Sequence, residues 1–221
     1  MRSPGITALI FDMDGLLVDS EDLAAEALGT FLARHGREIQ PGTMEQTLGR
    51  RLPEAISIVA KSYALDGDLE TLTSEYEHLR MEAIRGRVTP MLGAREILLW
   101  AQTAGLKSAL ATSSQRSQAM ESLTHAGLAG LFDVEVTGES VVRGKPDPQM
   151  FLLAAELLGE TPSACVVFED APAGLQAAAA AGMRVIWVPN ARTRGLDPGA
   201  APTHIAGSLV DAQHWVQSEI S

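Results

Sequence analysis

Apolar positions along the chain fall into two kinds of pattern, short unbroken runs and stretches of helical spacing. Ile6 to Phe11 is a short apolar run with β-branched and aromatic members that stops at Asp12. It does not alternate, so it reads as a strand buried on both faces. Ser20 then stands as the N-cap of a helix running to about His35, where Gly36 stops it. Leu28, Phe31 and Leu32 share one face of that helix. Two or three further helices follow, one starting near Pro53 and one from about Asp68 to Arg85. Residues 20–86 hold no convincing strand and read as a helical insert.

From Thr89 the pattern changes to alternation of strand and helix. Gly93 to Ala104 is helical and Gly105 ends it; Leu106 to Ala111 is a strand ending at Thr112-Ser113-Ser114; a helix follows to about Ala126. Val134 to Thr137 is a short strand, Pro148 to Leu158 a helix, and Cys165 to Phe168 a strand ending at Glu169-Asp170. A helix through the alanine run 177–181 stops at Gly182, and Val185 to Val188 is another strand. Such alternation implies an α/β fold, a Rossmann-like parallel sheet with right-handed crossovers and helices on both faces. The expected organisation is a catalytic core of residues 1–19 and 87–221 interrupted by a helical cap domain of residues 20–86.

Composition narrows the partners. The 221 residues are 46% hydrophobic and 20% charged, with net charge −11 and pI about 4.9. That balance argues against nucleic acid and against anionic membranes. It also repels any anionic substrate at range, so local positive groups or a metal ion must reverse the sign. The lone Cys165 allows no intrachain disulfide and no thiolate metal cluster, and suits a reducing cytoplasm. The apolar run near the start is too short for a signal sequence, and no stretch approaches the roughly 20 apolar residues of a membrane span. A cytoplasmic monomer is expected.

Ligands of an open parallel sheet bind beyond the carboxyl ends of its strands. Those ends carry Asp12-Met13-Asp14-Gly15, Thr112-Ser113, a loop with Gly144-Lys145-Pro146, and Glu169-Asp170. Taken singly, each acid reads as an N-cap or turn residue, Thr112 as a cap, and Lys145 as a solvated loop residue. Together at one edge they do not, because neighbouring acids raise one another's pKa and destabilise the fold. A divalent cation resolves the conflict, and hard oxygen ligands without His or Cys point to Mg²⁺. The glycine of Asp12-Met13-Asp14-Gly15 stands too early for a calcium loop, and no phosphate-binding glycine motif occurs. The five histidines never pair at metal spacing.

In order and spacing, Asp12 through Glu21, Thr112-Ser113, Gly144-Lys145-Pro146-Asp147-Pro148, and Glu169-Asp170 with Gly174 resemble the four motifs of the haloacid dehalogenase superfamily. The resemblance spans nearly the whole chain. It is to the branch with a helical cap after the first motif, which contains phosphosugar phosphatases and beta-phosphoglucomutase. It implies that Asp12 attacks phosphorus and that Asp14 protonates the leaving oxygen and then activates water. It implies Mg²⁺ held by Asp12, the main-chain carbonyl of Asp14, Asp170 and Glu169, the last directly or through water. It assigns the phosphoryl oxygens to Thr112, Ser113 and Lys145.

Departures narrow the branch. Dehalogenases lack the second Asp, so Asp14 favours phosphoester chemistry. The mutases carry a histidine early in the first cap helix, and Asp22 to Ala27 has none. Ala171 stands where relatives often have Ser. Gly49-Arg50-Arg51 resembles the cap loop that faces the active site, which makes Arg50 and Arg51 candidate substrate ligands, although two solvated arginines on a turn would look the same. The expected function is a Mg²⁺-dependent phosphatase of a small phosphorylated metabolite, a sugar phosphate by the resemblance. The alternatives are a phosphoglucomutase-type isomerase and a non-catalytic binding protein on the same fold.

Overall fold

A computed structural model of the chain describes residues 5–220; the few expected core residues before and after these lie outside it. In chain order the elements are β1 (Ala8–Phe11), β2 (Val18–Asp19), α1 (Glu21–Arg34), α2 (Leu52–Tyr63), α3 (Leu69–Ile84) and β3 (Thr89–Pro90). Then come α4 (Ala94–Thr103), β4 (Lys107–Ala111), α5 (Arg116–His125), β5 (Val134–Val136) and α6 (Gln149–Leu158). The chain continues with β6 (Cys165–Glu169), α7 (Pro172–Ala180), β7 (Arg184–Trp187), β8 (His204–Ile205) and α8 (Leu209–Ile220).

Six strands form one parallel sheet in the order β5-β4-β1-β6-β7-β8. The fold is thus the expected α/β, Rossmann-like one. The apolar run of β1 is explained by its place. It lies between β4 and β6, with Phe11 opposite both Leu110 and Phe168, and all four of its residues are buried. Leu9 and Phe11 enter one apolar layer, with α4, α5 and α8; Ala8 and Ile10 enter the other, with α6 and α7. The rings of Phe11 and Phe168 stack with centroids 4.5 Å apart. Ala177 and Ala178 of α7 are fully buried against the sheet, where a larger side chain would hold the helix off. Succession runs from β1 to β4 and β5 on one side and to β6, β7 and β8 on the other, so the order reverses at β1 and opens a crevice beyond its carboxyl end.

Between β2 and β3 the chain forms α1, α2 and α3. They pack on one another around Leu28, Phe31, Ile56, Val59, Leu72 and Tyr76, a core separate from the two sheet layers. β2 and β3 pair antiparallel, Val18 with Pro90 and Asp19 with Thr89. This ribbon has no sequence signal, because two residues cannot display a period of two. Ser20 does occupy the N-cap of α1, but its hydroxyl makes no cap bond and donates to Asp14 Oδ1 at 2.6 Å. Among the described residues no helix is long and apolar enough to cross a membrane.

Candidate functional site

The crevice is built on strand ends. Asp12 follows β1, Thr112 follows β4, and Glu169 closes β6 with Asp170 next. Lys145 comes from the loop ahead of α6 and is fully buried. Its Nζ donates to Asp12 Oδ1 at 2.5 Å, to Glu169 Oε1 at 2.6 Å and to Ala111 O at 3.1 Å, and stands 4.9 Å from the centre of the Phe151 ring. Burial alone would push this ammonium's pKa down, but Asp12 and Glu169 together outweigh it and hold it up.

Glu169 spends its second oxygen on the backbone N–H groups of Asp170 (3.1 Å) and Ala171 (3.2 Å). Gly174, in the first turn of α7, makes the room: a Cβ there would run into the Glu169 carboxylate. Asp170 Oδ2 accepts from Asn190 Nδ2 at 2.8 Å, while its Oδ1 is buried without a partner. Carboxylate oxygens of Asp12, Glu169 and Asp170 lie within 4.8 Å of one another. Burial, with the charges of Glu169 and Asp14 adding and Lys145 opposing, pushes Asp12 up to about 7. Burial, then Glu169 and Asp12, raises Asp170 well above the carboxylate range.

These features fit a divalent cation. The donors are all hard oxygens, one buried carboxylate oxygen has no hydrogen bond, and two acids are driven toward neutrality even with Lys145 nearby.

Asp14 sits in a different setting. Its Oδ1 accepts from Ser20 Oγ (2.6 Å) and Arg80 Nη2 (3.2 Å), and its Oδ2 from Ser114 Oγ (2.6 Å). Arg80 reaches over from α3. Buried Gln118 of α5 steadies it when the amide oxygen faces the guanidinium, accepting from Nη2 and Nε at 3.0 Å each. Thr112 accepts from the N–H of Ser114 at 3.1 Å.

Among the sequence candidates, Asp12, Asp14, Thr112, Ser113, Asp170 and Arg50 line one cleft between the sheet edge and the helical insert. Lys145 and Glu169 lie buried beneath its floor. Ser113 Oγ donates to Gly49 O at 2.7 Å, tying core to insert. Arg51 turns away from the cleft: it pairs with Glu54 at 2.7 Å and donates to Val141 O at 2.9 Å. Arg80, Gln118, Ser114 and Asn190 belong to the site without standing out in the sequence as site residues. Ser114 continues the Thr112-Ser113 run and could have been included with it. Arg80, on a helix face far along the chain from Asp14, has no local signal.

A sequence profile of the haloacid dehalogenase-like hydrolases matches residues 9–188, most of the chain. The chain belongs to this family. Among its curated relatives, the haloacid dehalogenase-like chain is 33% identical over 180 residues to the phosphorylated carbohydrates phosphatase of Thermotoga maritima, covering 81% of this chain and 83% of that protein. It is 36% identical over 190 residues to hexitol phosphatase A of Escherichia coli, covering 85% and 84%. CbbY of Rhodobacter sphaeroides, solved with phosphate, superposes with a TM-score of 0.84 at 24% identity over 93% of this chain and 96% of that one, a likeness of fold. This family member is an enzyme, a phosphoric monoester hydrolase.

Proposed function

We propose that the protein is a Mg²⁺-dependent phosphatase of a small phosphorylated metabolite, working through an aspartyl-phosphate on Asp12. The observation that supports this reading most is the pair of acids two residues apart in unlike surroundings. Asp12 is buried against Lys145, and Asp14 is ringed by hydroxyls and an arginine at the cleft. Asp12 attacks phosphorus and the ester oxygen leaves with a proton from Asp14. Asp14 then takes a proton from the water that attacks the acyl phosphate, which releases inorganic phosphate and frees Asp12. Lys145 offsets charge beside Asp12 for any substrate, and the hydroxyls of Thr112 and Ser113 are placed to meet phosphoryl oxygens. Asp12, Asp170 and the main-chain carbonyl of Asp14 would hold Mg²⁺, with Glu169 behind them; the bound ion would neutralise charge on the phosphoryl group. The helical insert acts as a cap that excludes water and reads the leaving group.

The relatives' names put phosphorylated carbohydrates first among substrates to try. The mutase reading is not favoured: among the described residues the cleft contains no histidine. A cytoplasmic monomer without nucleic-acid or membrane partners completes the proposal, in keeping with the acidic surface and lone thiol. The test is phosphate release from p-nitrophenyl phosphate and from a panel of metabolite monoesters with Mg²⁺. Asp12→Asn should fold and retain under about 1% of the activity; turnover above that would assign the nucleophile elsewhere.

A further inference from the structure

The cleft has two unlike halves. Its floor is polar, with Asp12, Asp14, Thr112, Ser113 and Asp170. Its roof is the inner face of the insert, where Ala24, Leu28, Leu52, Ile56, Val59 and Tyr76 form the wall. Beyond Ser20 and Glu21 at its base, where Glu21 Oε1 is buried without a partner, the described residues of that wall include no Asp, Glu, Asn, Gln, Ser or His. Its few other polar groups are partly engaged. The Thr47 hydroxyl donates to Met44 O at 2.9 Å and the Tyr76 hydroxyl to Ala24 O at 3.3 Å. Arg80 is held by Asp14 and Gln118. Arg50 lies at the mouth, where the cleft meets a shallower groove over Gly144–Asp147.

A polyhydroxylated leaving group would bury several hydroxyls against this wall and exchange water for carbon. Most would lose hydrogen bonds that its aliphatic surface cannot return. The cavity is also small, about 80 Å³, well under the several hundred Å³ typical of sites for larger ligands.

We infer that the leaving alcohol is small and sparsely hydroxylated, presenting an alkyl or aryl face to Leu28, Ile56 and Val59. This rests on the phosphatase reading and narrows it away from polyol phosphates.

The experiment compares kcat/KM for n-butyl phosphate and erythritol 4-phosphate, two four-carbon monoesters, with p-nitrophenyl phosphate as the measure of phosphatase activity itself. The polyol oxygen is chemically the better leaving group, so intrinsic reactivity opposes the expected result. The butyl ester should be preferred by at least tenfold. Val59→Thr, which adds a hydroxyl to the wall at nearly constant volume, should shrink that preference. Equal or better turnover of the erythritol ester overturns the inference while leaving the phosphatase reading intact. So does hydrolysis of p-nitrophenyl phosphate with no turnover of the butyl ester. If none of the three is hydrolysed, the phosphatase reading fails and the inference with it.

Discussion

Arg80, carried by α3 of the insert, donates to Oδ1 of Asp14, carried by the loop after β1, across 3.2 Å. Two parts of the fold are thereby joined through the group proposed to move the proton. Arg80→Ala should lower kcat tenfold to a hundredfold, the worth of one charge-assisted hydrogen bond at about 1.5–3 kcal/mol. The melting temperature should fall by only a few degrees, about 1–3 kcal/mol for the buried Gln118 oxygen left unpaired. Arg80→Lys should recover part of kcat. An unchanged kcat in Arg80→Ala would reduce the pair to a packing contact.

Lys145→Ala leaves Asp12 and Glu169 buried without their cation. Removing one member of a buried ion pair costs about 3–5 kcal/mol, and at about 2–4 °C per kcal/mol for a chain of this size the melting point should fall by roughly 6–20 °C. Turnover should drop by the same factor for an aryl phosphate and for the best metabolite. A substrate-dependent loss would mean that Lys145 reads the leaving group.

Metal dependence should carry a pH signature. Asp12 titrates at about 7 in the folded, metal-free protein, above its ordinary value of 3.8. Its contribution to stability is therefore complete below about pH 4 and lost as pH rises through about 7. A cation that needs the Asp12 carboxylate competes there with a proton below about pH 7. The rise in melting temperature caused by Mg²⁺ should grow from about pH 5.5 to about pH 8 and then level off. EDTA should abolish activity, Mg²⁺ restore it, and Ca²⁺ restore little, because Ca²⁺ favours longer bonds and more ligands. A Mg²⁺ effect independent of pH, or full activity in EDTA, would remove the metal from this cluster.

Gly174→Ala forces a methyl group into the Glu169 carboxylate. Overpacking of this kind costs about 1–3 kcal/mol. The loss should vanish in the background of Glu169→Ala, which removes the clash, and a denaturant-melting cycle of the four proteins measures this. A loss that persists would place the constraint on the α7 backbone.

Arg50 and Arg51 should separate. Arg50 lines the cleft and spends only Nε, on Gln46 O at 3.2 Å. Arg50→Ala should change kcat/KM selectively, sparing p-nitrophenyl phosphate. Arg51 ties the insert to Val141 O. Arg51→Ala should raise KM for every ester alike. If both variants behaved identically across substrates, neither arginine would be a reader.

The sheet was legible because buried parallel strands are apolar runs, and β1, β4 and β6 each end at the residues that gather at the cleft. Thr112 and Asp170, far apart in the chain, could be placed together from that rule alone. What could not be read were relations between side chains on different elements. Ser20 looks like a cap, and only the fold reveals that its hydroxyl donates to Asp14. Arg51 looks like its neighbour Arg50, and only the docking of α2 on the loop before Lys145 turns it away. β8 follows a stretch where Gly and Pro interrupt any period, whereas α8 carries Leu209, Ala212 and Val216 at helical spacing and could have been read from it.

The β2–β3 ribbon brings the two passages between sheet and insert side by side, with Val18 opposite Pro90 and Asp19 opposite Thr89. The insert thus begins and ends at one point, and its length and internal design make no demand on the spacing of the sheet strands. Between residue 20 and residue 88 the insert can be lengthened, shortened or exchanged while Asp12, Lys145, Glu169 and Asp170 keep their positions, provided that Ser20 and Arg80 still reach Asp14 and that Ile84 and Val88 still pack on the sheet. Selection can rewrite what is admitted to the reaction without rewriting the reaction, and grafting another family member's insert onto this ribbon is the corresponding route for engineering.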